Sequence, residues 1–333
     1  MIKILMYGVQ SHEQEIIAQW AKKHSAEVHT TADMLSEHTV AAADGFDGIC
    51  IQQPIALGGP NVYAQLKSYG IRQIATRTAG YDMIDLKEAE KNGLVVTNVP
   101  AYSPYAVAEL AVTQALQLVR HIPQFQKRIA DNDFRWAGLL SREIRSLTVG
   151  IIGTGRIGAT AAKLFKGLGA TVIGFDQYPN QQLSEVLDYR HSLEDVLKEA
   201  DIVSLHTPLF DSTRHMINKN TLKIMKRSAY LINIARGGLI NTADLIDALE
   251  TGQIAGAALD TFENEEFINK NLGDRKLDDP YLEKLIAMDQ VLLTPHVGFF
   301  TETAIRNIVE GALDAVSEVL ETGTSKNRVQ PIS

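Results

Sequence analysis

Cysteine is almost absent from this sequence: Cys50 is the only one in 333 residues. A single thiol forms no intramolecular disulfide, and it excludes a cysteine-based metal site or a dithiol redox centre. A basic surplus is missing too. Lys and Arg total 32 against 40 Asp and Glu, a formal charge of −8, so nucleic acid is not an expected partner. Small anions can still be held by a few arginines or backbone N–H groups. Long apolar runs are also lacking, since none approaches the roughly 18 residues of a membrane span. The opening MIKILMYGVQ turns polar at SHEQE, with no basic flank or cleavage site. A cytoplasmic protein with no membrane role and no metal is the expectation.

What is present is an ordinary globular composition, 45% apolar and 22% charged, in a chain longer than one hydrophobic core usually grows. Two domains are expected. IKILMY at 2–7 reads as a buried strand, and 12–24 carries Ile16, Ile17 and Trp20 at helical spacing. The alternation repeats through the strand FDGICI, a helix over VYAQLKSYG, the strand IRQIATR, a helix over MIDLKEAEKNG and the strand LVVTNV. Strands alternating with short helices predict a parallel sheet covered on its faces, an α/β architecture. From Pro104 to Arg120 the chain is Ala- and Leu-rich on most faces, a pattern for a buried helix. A second α/β series follows, with strands predicted at 147–152, 171–175, 201–205, 230–234, 255–259 and 291–293. Six such strands match a complete dinucleotide-binding sheet. The last helix, from Thr301 to about Gly323, is assignable to either unit on pattern alone.

The clearest local signal is LTVGIIGTGRIGATAAKLFKGLGATVIGFD, which spaces Gly153, Gly155 and Gly158 as G-x-G-x-x-G. Glycine turns also have purely structural uses. Here an apolar strand precedes the glycines, an Ala-rich helix follows, and a second strand ends at Asp176. Gly153 permits the tight turn, Gly155 lets a pyrophosphate approach the backbone, and Gly158 allows close helix–strand packing. The helix N-terminus, at Arg156 and Ile157, then faces the phosphates. Asp176 suits the adenosine ribose hydroxyls and repels a 2′-phosphate, which selects NAD over NADP. His206 and Pro208, in HTPLF, together with Ala235 and Asp260 at later strand ends, are the remaining expected cofactor contacts. His206 reads equally well as a structural residue.

Three further polar residues follow late strands: Arg236, Glu265 and His296. In a doubly wound sheet such strand ends meet at one crevice. Surface ion pairing is the ordinary fate of an Arg or Glu, and a His after Pro can simply close a loop. Beside a dinucleotide site they suggest reduction of a keto acid. Arg236 pairs a carboxylate and polarises a carbonyl. His296 exchanges the proton, and Glu265 holds the other ring nitrogen and fixes the tautomer.

With these residues in place, the whole chain resembles the D-2-hydroxyacid dehydrogenase family, especially its D-lactate and D-2-hydroxyisocaproate dehydrogenase branch. RTAGYDMID, NVPAYSPYAVAE, VGIIGTGRIG, LHTPL, INIARGGLI, ALDTFENE and LLTPHVGFFTE carry the likeness. The resemblance implies two Rossmann-like domains flanking an active-site cleft. A discontinuous substrate domain would span 1–100 and 300–333, and an NAD domain 101–299. It assigns Arg236, Glu265 and His296 as substrate arginine, orienting glutamate and acid/base histidine. It also implies a homodimer with the helix after Pro104 in its interface, and D stereochemistry. By the same resemblance Ala79 and Gly80 offer backbone N–H groups to the substrate carboxylate, Tyr102 offers a hydroxyl, and Arg77 supports their loop.

The pocket for the substrate side chain is expected to draw on Ile51, Phe299, Phe300 and Trp136. At the position of Ile51, D-lactate dehydrogenases of this branch typically carry Tyr, so branched or aromatic keto acids should be accepted alongside pyruvate. A dicarboxylate branch acting on 2-hydroxyglutarate has a basic residue in the loop that here reads CIQQPI. A second carboxylate would be buried unpaired, although Gln52 or Gln53 offers hydrogen bonds. 2-Hydroxyglutarate is therefore the second choice, and an inactive NAD-binding regulator the alternative of another class.

Overall fold

Strand after strand in this chain is buried on both faces, and that explains why apolar runs rather than apolar–polar alternation mark them. The computed structural model describes residues 1–331. It divides into two units, one formed by Met1–Ser103 together with the chain from Phe300 onward, the other by Pro104–Phe299.

Unit 1 opens with β1 (Lys3–Met6), α1 (Gln14–His24), β2 (Glu27–Thr30), β3 (Gly48–Ile51), α2 (Pro60–Ser68), β4 (Gln73–Thr76), α3 (Leu86–Lys91) and β5 (Val95–Thr97). Unit 2 follows with α4 (Pro104–Val119), α5 (Ile122–Ala130), β6 (Thr148–Ile152), α6 (Arg156–Gly167), β7 (Thr171–Phe175) and β8 (Asp188–Tyr189). It continues with α7 (Leu193–Glu199), β9 (Ile202–Leu205), α8 (Lys219–Ile224), β10 (Tyr230–Asn233), α9 (Thr242–Glu250), β11 (Gly256–Leu259), α10 (Pro280–Ala287) and β12 (Val291–Leu293). The chain then returns to unit 1 with α11 (Glu302–Thr322) and β13 (Arg328–Val329).

In unit 1 the strand order is β13-β5-β4-β3-β1-β2, parallel except for the antiparallel edge β13. Its core gathers Leu5, Tyr7, Leu35, Ile49, Ile51 and Ile74. The last helix, open to either unit on pattern alone, packs on β3, β4 and β5. Thr301 caps its start, accepting from the Ala304 N–H, and Gly323 ends it in the left-handed region that favours glycine.

In unit 2 all seven strands are parallel in the order β12-β11-β10-β9-β6-β7-β8. From β6 the chain winds outward through β7 and β8, then returns to the other side of β6 with β9. The reversal leaves a crevice at the carboxyl ends of β6 and β9, where doubly wound sheets receive their ligands. The expected six strands become seven. β8 is a two-residue edge strand and β2 a polar one, and neither has the apolar run that marks a central strand. The Ala-rich α4 packs against α6, β10 and β11, burying Ala106, Val107, Ala108, Ala111, Gln114, Ala115, Leu118 and Val119.

Candidate active site

The glycine turn joins β6 to α6 at the point where the strand order reverses. Gly153 has φ +87°, and a Cβ there would meet the His206 and Thr207 backbone at 2.8–2.9 Å. A Cβ on Gly158 would lie 1.9 Å from the Gly153 carbonyl oxygen. Around Gly155, by contrast, a Cβ would meet nothing within 4 Å. Two glycines are thus demanded by close packing, and the middle one faces open space at the N-terminus of α6. That twelve-residue helix has no side-chain cap and no acidic residue in its first turn, with Arg156 exposed and Ile157 partly so. Its unpaired N–H groups fit a pyrophosphate.

Asp176 follows β7 and is partly exposed. His206 follows β9, its Nε2 2.8 Å from Ser204 Oγ and its Nδ1 buried with no partner among the described residues. Burial pushes this imidazole down to about 3, so it is neutral at ordinary pH. A buried nitrogen left unpaired at the cofactor crevice is consistent with a bound group nearby. Pro208 is exposed and Ala235 partly exposed on neighbouring strand ends.

The most explicit chemistry lies at the ends of β11 and β12. His296 Nδ1 is 2.8 Å from Glu265 Oε2, with the two side chains 33% and 21% exposed. A carboxylate only accepts, so Nδ1 carries the hydrogen and Nε2 is the nitrogen that can exchange a proton. Glu265 is itself held, its Oε1 accepting from the Phe262 N–H at 3.1 Å. His296 has φ +55°, unusual for a residue with a Cβ, and its N–H donates to the carbonyls of Asp260 and Thr294. Phe299 stands edge-on to the imidazole, ring centroids 6.4 Å apart.

Arg236 follows β10, its Nη1 donating to the Ala235 carbonyl. Its turn is folded by Asn233, whose side-chain amide donates to the Arg236 carbonyl and accepts from the Ala235 N–H. Next to it, a Cβ on Gly237 would sit 1.9 Å from the Phe262 carbonyl group, so the arginine turn lies directly on the backbone leading to Glu265. Glu263 pins that same stretch, with Oε1 2.6 Å from His215 Nε2 and Oε2 accepting from the Thr242 N–H. Burial works to raise the Glu263 carboxyl. The Thr242 hydroxyl, His215 and the Thr242 N–H outweigh it and hold the group below the usual carboxylate range.

The other residues singled out in the sequence take the following places. Asp260, expected at the cofactor, is 1% exposed and accepts from Thr294 Oγ1, the Val297 N–H and the Gly298 N–H. It is committed to the loop that carries His296. Ile51, expected to line the substrate pocket, is fully buried in the core of unit 1. Gln53 spends its amide on the Leu35 N–H and the Leu35 and Ile55 carbonyls. Arg77 is fully buried, paired with Glu13 at 3.0 Å and donating to the Tyr7 and Gly8 carbonyls. Phe300 is 53% and Trp136 80% exposed.

After β4, the Ala79 and Gly80 carbonyls are tied by Asn98 and the Thr78 hydroxyl, while their N–H groups have no acceptor among the described residues. Tyr102 is partly buried, and its carbonyl accepts from the Asn307 side chain. The residues that sequence reasoning missed are Asn233, Glu263 and the loop role of Asp260. Each acts by hydrogen bonds to a backbone distant in sequence, which leaves no local pattern.

A glycine turn that fits a pyrophosphate, on the same sheet as an oriented imidazole, defines a dinucleotide-dependent oxidoreductase. Comparison with known proteins makes this particular. Residues 112–298 match the family model described as the D-isomer specific 2-hydroxyacid dehydrogenase NAD binding domain. The chain is 54% identical to a D-2-hydroxyacid dehydrogenase (NAD(+)) of Clostridioides difficile, over 98% of this chain and 100% of that one. Among solved structures, a D-lactate dehydrogenase from Sporolactobacillus sp. is 49% identical with TM-score 0.86, covering 100% of both chains. A D-2-hydroxyisocaproate dehydrogenase is 37% identical with TM-score 0.91, covering 99% of this chain and 100% of that one. The chain belongs to the D-2-hydroxyacid dehydrogenase family, close to its D-lactate and D-2-hydroxyisocaproate dehydrogenase branch. It is an NAD-dependent dehydrogenase of 2-keto and 2-hydroxy acids. The alternative of an inactive NAD-binding regulator is thereby set aside. Among the described residues, no helix is long and apolar enough to cross a membrane.

Proposed function

We propose that the protein reduces 2-keto acids with apolar side chains, among them pyruvate, 2-ketoisocaproate and phenylpyruvate, to D-2-hydroxy acids, and that His296 is its acid and base. The observation that carries this is the 2.8 Å bond between His296 Nδ1 and Glu265, which leaves Nε2 to work on the substrate. NADH, when bound, supplies the hydride to the carbonyl carbon. Negative charge then grows on the carbonyl oxygen, and His296 delivers a proton to it from Nε2; in oxidation His296 removes that proton. Arg236 pairs with the substrate carboxylate and stabilises the developing charge. Unit 2 is the NAD domain and unit 1 the substrate domain. In unit 1 the unpaired N–H groups of Ala79 and Gly80 suit a carboxylate, and Tyr102 adds a hydroxyl. In unit 2, Phe299 supplies apolar surface beside His296. Gly153, Gly155, Arg156, Ile157 and Gly158 take the pyrophosphate, Asp176 the adenosine ribose, and His206, Pro208 and Ala235 border the cofactor.

The commitment of Gln53 to its own loop supports ranking 2-ketoglutarate below the apolar acids. That side chain has no hydrogen bond to spare for a second carboxylate. A homodimer is proposed as well. The apolar surface suited to a second copy lies beyond α4, where Ile129, Phe134, Trp136 and Leu140 are all more than half exposed.

NADH oxidation across the four acids tests the substrate reading. Turnover is expected with the three apolar acids, and kcat/KM for 2-ketoglutarate about 100-fold lower or less. A preference for 2-ketoglutarate, or NADH binding with no turnover of any, contradicts it.

A further inference from the structure

The Asp176 carboxylate is more firmly held than a residue at a strand end needs to be. Its Oδ2 accepts from the Thr154 N–H at 2.6 Å and from Thr154 Oγ1 at 3.1 Å. Its Oδ1 accepts from the Tyr178 N–H at 2.8 Å. Thr154, inside the glycine turn, is 3% exposed. Its hydroxyl lies 2.8 Å from the hydroxyl of Tyr189 on the edge strand β8, which in turn accepts from the Asn180 N–H at 2.9 Å.

The direction of every proton in this chain follows from donor chemistry. A carboxylate only accepts, so the one hydrogen of the Thr154 hydroxyl goes to Asp176. Thr154 Oγ1 must then accept from Tyr189. Tyr189 already accepts from Asn180 and has one hydrogen to give; its other neighbour, the Asn180 carbonyl, is 3.5 Å away, too far to compete. The result is a one-way series of donors, from the Asn180 N–H through Tyr189 and Thr154 to Asp176, whose members polarise one another.

Of about four acceptor positions on a carboxylate, the protein fills both on Oδ2 and one on Oδ1. What remains is a single acceptor position on Oδ1. A loosely held carboxylate could rotate away from a 2′-phosphate and soften the repulsion. This one has no such freedom, and the following residues, Gln177, Tyr178, Pro179 and Asn180, include no Lys or Arg to pair a phosphate.

We propose that Thr154 and Tyr189 are positioning residues for cofactor selection: by locking the Asp176 carboxylate with one acceptor position open, they set the preference for NADH over NADPH. The inference rests on Asp176 as the ribose acceptor.

The test is steady-state kinetics with NADH and with NADPH, at a saturating concentration of the best keto acid, on Thr154→Val, Thr154→Ser, Tyr189→Phe and Asp176→Ala. Thr154→Val should lower the NADH-to-NADPH ratio of kcat/KM about tenfold, the loss of one hydrogen bond to a charged group. The change should fall on the KM for NADH, with kcat within about twofold. Thr154→Ser should restore the wild-type ratio, and Tyr189→Phe should lower it about threefold. In the Asp176→Ala background, Tyr189→Phe should change nothing further. If Asp176→Ala collapses the ratio while Tyr189→Phe and a folded Thr154→Val keep it, the relay is overturned and the ribose reading stands. Should Thr154→Val fail to fold, Tyr189→Phe on the edge strand decides alone. An unchanged ratio in Asp176→Ala overturns both.

Discussion

Both units are doubly wound sheets, parallel throughout in unit 2 and parallel but for β13 in unit 1, yet they spend the polar residues at their strand ends differently. In unit 2, Asp176, Arg236, Glu265 and His296 keep partly exposed side chains, and buried residues such as Asn233 and Asp260 hold the loops beneath them. In unit 1 two charged side chains near strand ends are turned inward, while Asp33 and Asp82 stay exposed. Arg77 and Glu13 are buried against each other, Arg77 also donates to Cys50 Sγ, and Gln53 is consumed by its own loop. The ligand groups proposed for unit 1 are the backbone N–H groups of Ala79 and Gly80 and the Tyr102 hydroxyl, none of them charged. The side chains proposed for proton chemistry thus all lie on one sheet. The other uses its charge to hold β1, α1 and β4 in register, and burial pushes its lone thiol up, away from reactivity.

The contrast can be broken from the unit 1 side first. Arg77→Met leaves the Glu13 carboxylate buried without its partner, and should cost about 3–5 kcal/mol of stability, read by urea unfolding. An effect under about 1 kcal/mol would mean that the pair is solvated and the contrast false. On the unit 2 side, Glu265→Gln should lower kcat about 100-fold with little loss of folding stability, because the amide oxygen stays with the Phe262 N–H, the amide N–H then faces Nδ1, and the carboxylate charge is gone. A kcat within a few fold of wild type would remove Glu265 from the account. Asn233→Ala sharpens the comparison between chemical and supporting residues. It frees the Arg236 turn, so the KM for the keto acid should rise about tenfold while the KM for NADH changes less.

The smallest expected effect is a pH dependence. His206 has a folded-state value of about 3, below the 6.5 of a free imidazole. Between those values the unfolded chain binds a proton that the folded protein does not. Stability therefore falls as pH drops from about 6.5 towards 3. His206→Asn should lose less Tm than wild type between neutral and mildly acidic pH. Equal slopes would mean that the ring protonates in place.

Legibility in the sequence follows the same division. The central strands were readable because burial on both faces demands apolar runs, and the glycine turn because close approaches at Gly153 and Gly158 demand glycine, with Gly155 at fixed spacing between them. Edge strands β2 and β8 were not, being short and partly polar. At the site, Arg236, Glu265 and His296 stood out as polar residues after apolar strands. The groups that hold them did not. Asn233 closes one apolar strand and looks like nothing more, and Asp260 follows another, where it reads as a cofactor contact and not as the residue that folds the His296 loop. Tyr189 reaches Thr154 across 35 positions, and Arg77 reaches Glu13 across 64, distances that no local pattern encodes. Ile51 closes β3, a strand buried on both faces, so its apolar side chain does not by itself separate a core position from a pocket wall.

The central claim is that His296 performs proton transfer and does little else. Turnover of the best keto acid and NADH affinity, the latter by fluorescence titration, should be measured side by side on wild type and His296→Ala. The account predicts a fall in kcat of about 10³-fold or more with NADH affinity within about threefold of wild type. Parallel loss of both, or retention of turnover, would contradict it.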